Sequence, residues 1–139
     1  MSAKIELNQG EVKINFFSPI SGKTSFKDLG LNDQDLVFES GFVRLVFDFE
    51  GIKDHDYYKV PLVEVSYKEN MAEIHWQCDF NKETILDKTD NHGHSSIMLL
   101  NKKRLIELEQ HHENKLIVHG EFPEGVHILA EDSFINFFK

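Results

Sequence analysis

Met71-Ala72-Glu73-Ile74-His75-Trp76-Gln77-Cys78-Asp79-Phe80 is the stretch that decides the fold. Ala72, Ile74, Trp76, Cys78 and Phe80 fall on one side of a period-two alternation, and Glu73, His75, Gln77 and Asp79 fall on the other. That is the pattern of a strand with one face in a core and one in water. Just before it, Val63, Val65 and Tyr67 alternate with Glu64, Ser66 and Lys68, and Glu69-Asn70 separates the two runs. Asparagine accepts a positive φ, so the pair reads as a hairpin.

Further out the pattern repeats. From Phe42 to Glu50, Val43, Leu45, Phe47 and Phe49 point inward and Arg44 and Asp48 outward, while Val46 on the outer set suggests a partly covered second face and so a central strand. Ile5 and Leu7, a turn at Asn8-Gln9-Gly10, and Val12, Ile14 and Phe16 make another hairpin. Leu116 and Val118 with Val126 and Ile128 bracket a Pro123-Glu124-Gly125 turn and read as a third pair. Asn101 to Asn114 departs from period two: Leu105 and Leu108 follow an asparagine that can cap, among charged neighbours, which predicts one amphipathic helix near residues 102–113. Lys102, Lys103 and Arg104 at its start oppose the helix dipole. The competing reading puts strands at Ile97–Leu100 and Leu105–Leu108, and a short helical turn is also expected within Ser25–Asp35. The fold class is therefore mainly β, an antiparallel β-sandwich or strongly curved sheet with one helix. The alternative is an α+β fold with the helix on one face of a single antiparallel sheet.

With 139 residues and 16.2 kDa, one domain over residues 1–139 is expected, large enough to hide roughly two-thirds of its unfolded surface without a metal or disulfide. The one cysteine, Cys78, has no internal partner and sits on the inward set, as a small buried hydrophobe would. The start of the chain has no apolar run of the secretory kind, and the longest apolar stretches are far short of a spanning helix, so a soluble, cytoplasmic protein is expected.

Charge is the strongest functional signal. Twenty-four acids against 15 bases give −9, which opposes approach to phosphate backbones and anionic lipid, so neither nucleic acid nor membrane is an expected partner. Eight acids, Asp28, Asp33, Asp35, Glu39, Asp48, Glu50, Asp54 and Asp56, stand against Arg44 and Lys53 between positions 28 and 56, a local −6. Such a surface would steer a basic protein partner. The plainer reading is a solvated face that keeps a protein with 12 phenylalanines soluble. A non-enzymatic binding protein follows, for instance a toxin-neutralising immunity protein whose carboxylates occupy the phosphate-binding surface of a basic nuclease.

Chemistry-bearing motifs are few. Asp33-Gln34-Asp35 and Asp54-His55-Asp56 offer alternate carboxylates to a hard cation but lack the rest of a calcium loop. Asp90-Asn91-His92-Gly93-His94 places two imidazoles beside a carboxylate, the start of a divalent-metal site. A third ligand would come from His75, His111, His112, His119 or His127. No cofactor is expected beyond a divalent cation there, and a metal-dependent enzyme or metal-binding module around His92 and His94 is the second functional reading. A third is a small-ligand-binding sandwich in which Trp76 or Tyr57-Tyr58 stacks on a ring. Gly22-Lys23-Thr24 resembles the end of a phosphate loop, but Phe17 stands where the first glycine belongs. The aromatic Phe134-Ile135-Asn136-Phe137-Phe138 segment either completes the core or joins chains into a homo-oligomer.

Overall fold

A computed structural model describes residues 3–32, 41–51, 61–78, 96–111, 116–123 and 125–130. Among these residues the elements follow in the order β1 (Ala3–Asn8), β2 (Glu11–Phe16), β3 (Gly22–Ser25), β4 (Phe42–Phe49), β5 (Leu62–Lys68), β6 (Met71–Gln77), β7 (Ser96–Asn101), α1 (Lys102–His111), β8 (Gly120–Glu121) and β9 (Val126–Ala130). They form two sheets, one of six strands ordered β1-β2-β4-β7-β9-β8 and one of three ordered β3-β6-β5. Mainly-β architecture with one helix is thus what the chain adopts, and the single-sheet alternative is not.

The deciding stretch forms β6 as far as Gln77, with Ala72, Ile74 and the following Cys78 buried and Trp76 half-buried, while Asp79 and Phe80 lie outside the described residues. Its hairpin with β5 turns on Glu69 and Asn70, both at positive φ (53° and 65°). Two consecutive left-handed residues give the turn whose twist matches a strand pair. The first hairpin forms as read, with Gly10 at φ 77°. β4 is central, between β2 and β7, and Val43, Leu45 and Phe47 on its inner face are buried. Inner side chains of β2 and β4 share one core with Val63, Val65 and Ile74 of the smaller sheet, so the two sheets pack face to face.

α1 lies on the opposite face of the larger sheet, where Leu105 and Leu108 join Met98, Leu100, Leu116 and Leu129 in a second core. It starts where the sequence places its cap: Asn101 Oδ1 accepts the Arg104 N–H at 2.8 Å. Arg104 spreads over the Phe42 ring at 5.7 Å and reaches Glu107, fixing the helix to the end of β4. β7 is therefore covered on both faces, and Ser96 to Leu100 are buried without alternation.

Two local readings change, the direction of β4 beside β2 and the reach of the third hairpin, and the others stand. β2 and β4 run parallel, because the chain crosses over to the smaller sheet as β3 before returning, so the larger sheet is not wholly antiparallel. Gly22-Lys23-Thr24, already set aside as a phosphate loop because of Phe17, is part of β3 and pairs with β6. The third hairpin forms closer to its turn than read: Gly120 and Glu121 pair with β9, while Leu116 turns away to pack under α1. Of the competing strands, the first exists as β7 and the second, Leu105–Leu108, is helix. The helical turn expected after Ser25 is one turn, closed by Leu29 N–H to Ser25 O and capped by Ser25 Oγ at 3.1 Å from Asp28 N.

Candidate binding surfaces

Three of the eight acids between positions 28 and 56 fall among the described residues. Asp28 sits exposed in the turn after β3, Asp48 stands on the outer face of β4, and Glu50 follows the end of that strand, with its N–H bonded to Phe16 O. Asp33, Asp35, Glu39, Asp54 and Asp56 lie outside the described residues, as do Asp90, His92, His94, Tyr57-Tyr58 and the segment 134–138.

The outer face of β1, β2 and β4 is a polar plain of matched charges. Lys13 Nζ meets Asp48 Oδ2 at 3.2 Å, Lys4 meets Glu6 at 3.6 Å, and Arg44 meets Glu11 at 3.8 Å. The hydrogen bond from the Lys13 ammonium to Asp48, and then the attraction of that carboxylate, hold Lys13 above the ordinary lysine range. Alternation forces these six charges onto one face, and the register sets Glu11 beside Arg44 and Lys13 beside Val46. Asp48 thus belongs to a neutral lattice.

That neutrality extends to the whole framework. The described residues hold eleven acids against nine bases, so most of the −9 belongs to the segments between the described elements.

A groove of about 820 Å³ opens where the edge strand β5 of the smaller sheet comes up against β8 of the larger one. Glu64, Tyr67, His75, Trp76, His119 and Glu121 line it, and no lysine or arginine does among the described residues. Trp76 is held by its Nε1–H to Ile20 O (2.6 Å) and by Phe16, whose ring lies 4.2 Å away. Gly22 leaves the room: a Cβ there would come within 3.0 Å of the indole. The groove was legible only in fragments. The β5 and β6 alternations put Glu64 and His75 on one face, but nothing in the sequence brings β8 to that margin.

Of the histidines considered as third metal ligands, His75 and His119 line the groove, and His112 lies outside the described residues. His75 stands 3.7 Å from Glu73 on the smaller sheet, His127 stands 4.0 Å from Glu121 beside β8, and His111 ends α1. Among the described residues no group of three or more His, Cys, Asp or Glu side chains is placed to hold a metal ion. Cys78 is buried, its N–H bonded to Ser21 Oγ at 2.7 Å. Among the same residues no helix is long and apolar enough to cross a membrane. No family model, no curated protein and no solved structure matches the chain.

Proposed function

We propose that this chain is a non-catalytic binding protein that engages a basic protein partner through acidic side chains carried between its framework elements. Asp28, Asp33, Asp35, Glu39, Glu50, Asp54 and Asp56 are the residues proposed to meet the partner, and Asp48 enters the surface already paired to Lys13. One observation carries the reading: the β framework is close to neutral, whereas positions 28 to 56 hold eight acids against two bases. Charges needed only for solubility can be spread over any exposed face. Concentrating them around one central strand produces a directional field that raises the encounter rate of a basic partner. A toxin-neutralising immunity protein is the concrete instance of such a partner relationship. The test is capture of a partner on immobilised protein at low and high salt. Retention at low salt with release at high salt supports the account, because screening shortens the reach of exposed charges. Equal retention at both contradicts it.

The groove favours a second reading, a small-ligand-binding sandwich. Trp76, the only tryptophan, lines it beside Tyr67, so a ligand that enters must alter its emission. A screen of planar and sugar ligands that leaves the emission unmoved removes that reading.

A further inference from the structure

The groove between the two sheets keeps its apolar and its charged side chains apart. β5 is an edge strand of the smaller sheet, so both of its faces border the groove: Val63 and Val65 are buried on the core side, and Glu64 between them is exposed on the outer side. Ile97 and Ile128 of the larger sheet continue the apolar lining. Across from β5, the short strand β8 contributes Glu121, with 58 % of its side chain exposed. Each sheet therefore supplies one carboxylate, while branched aliphatic side chains and Trp76 line the core side.

Neither carboxylate is committed elsewhere. Glu64 forms no ion pair among the described residues, and Glu121 Oε2 stays 4.0 Å from His127 Nδ1, too far for a hydrogen bond. No lysine or arginine lines the groove among the same residues, so a positive charge there has to come from a ligand. At about 820 Å³ the space is of the size that holds a small organic molecule.

We propose that the groove binds a small organic amine, with its apolar body against Val63, Val65 and Trp76 and its ammonium group meeting Glu64 and Glu121. The proposal rests on the small-ligand reading above and adds the charge of the ligand. An ammonium donates charge-assisted hydrogen bonds to both carboxylates. A neutral ligand of the same shape dehydrates them without replacing the hydrogen bonds they lose, and an anion adds a like charge to the two already present.

The test titrates Trp76 emission, the only tryptophan signal of the chain, with three ligands that share one ring and differ in charge: phenethylamine, phenethyl alcohol and phenylpropionate. E64Q, E121Q and the double variant E64Q/E121Q stand beside the wild type. Both positions are exposed, so the fold tolerates the changes, and far-ultraviolet circular dichroism verifies it. The wild type is expected to bind the amine with a saturable change in emission, about tenfold or more tighter than the alcohol, since a hydrogen bond to a charged group contributes that much. Phenylpropionate is expected to leave the emission unmoved. Each single variant is expected to weaken the amine, and the double variant to bind it no better than the alcohol, with alcohol binding unchanged. An alcohol or phenylpropionate bound as tightly as the amine, or a double variant that keeps the preference for the amine, overturns the proposal and leaves the small-ligand reading standing. Emission unmoved by the amine overturns the proposal as well, and emission unmoved by every planar and sugar ligand removes that reading with it.

Discussion

On β7 and β9 the outer face of the six-stranded sheet is apolar and roofed by α1, whereas on β1, β2 and β4 the same face is charged and open to water. Met98, Leu100 and Leu129 in the first half meet Leu105, Leu108 and Leu116, while Lys13, Asp48, Glu11 and Arg44 in the second half meet one another. Both halves belong to one continuous sheet, although β2 and β4 run parallel and β7 and β9 antiparallel, and the difference on this face lies in the cover. Where a helix supplies it, a strand loses its alternation and becomes Ser-Ile-Met-Leu-Leu; where water supplies it, the outward positions other than Val46 are polar and the charges are arranged in pairs. On this outer face only the first half buries apolar side chains, so changes on the exposed second half are the better tolerated.

Breaking the roofed half has the largest expected effect. Leu100→Ala empties a fully buried position between sheet and helix and is expected to cost about 2–5 kcal/mol, read from urea unfolding. Asn101→Ala keeps that packing but removes the cap of α1, at about 1 kcal/mol in the same assay. Gly22→Ala, on the smaller sheet, drives a methyl against the Trp76 indole. It is expected to shift the tryptophan emission with a modest loss of stability, because the indole is pinned by Ile20 O and Phe16. In the open half, Asp48→Asn breaks an exposed ion pair and is expected to leave the thermal midpoint within error of the wild type. Its pH dependence sharpens the comparison. Lys13 is raised by Asp48, so the pair's contribution is fully present below the ordinary lysine value and is lost only as pH climbs through the higher folded value. Any difference between wild type and Asp48→Asn is thus expected to be constant through neutral pH and to vanish in strong alkali.

Much of this architecture was legible because alternation is a local signal. Ala72, Ile74 and Cys78, or Val43, Leu45 and Phe47, declare their face within one strand, and Asn101 declares a helix start three residues ahead of the N–H it caps. Partnership is not local. Nothing in Val12-Lys13-Ile14 says that its second neighbour will be a parallel strand some 30 residues away, and nothing in Gly120-Glu121 says that it will border a groove beneath Trp76. β3 was illegible for a related reason: Gly22-Lys23-Thr24-Ser25 has no apolar alternation, and it is a strand only because β6 supplies the hydrogen bonds. Of the candidate binding residues, charge counting found the acidic segment but could not separate Asp48, which a cross-strand lysine neutralises, from the acids that surround it.

The central claim is that a near-neutral β framework carries a partner-binding charge on the segments between its elements. Partner capture and thermal unfolding measured together on wild type, on D48N and on D33N/D35N/E39Q/D54N/D56N test it most directly. The account predicts the same unfolding midpoint in all three, partner retained at low salt by wild type and D48N, and partner lost by the fivefold variant. A wild type that retains no protein at low salt, or a fivefold variant that retains the partner as well as the wild type does, would contradict it.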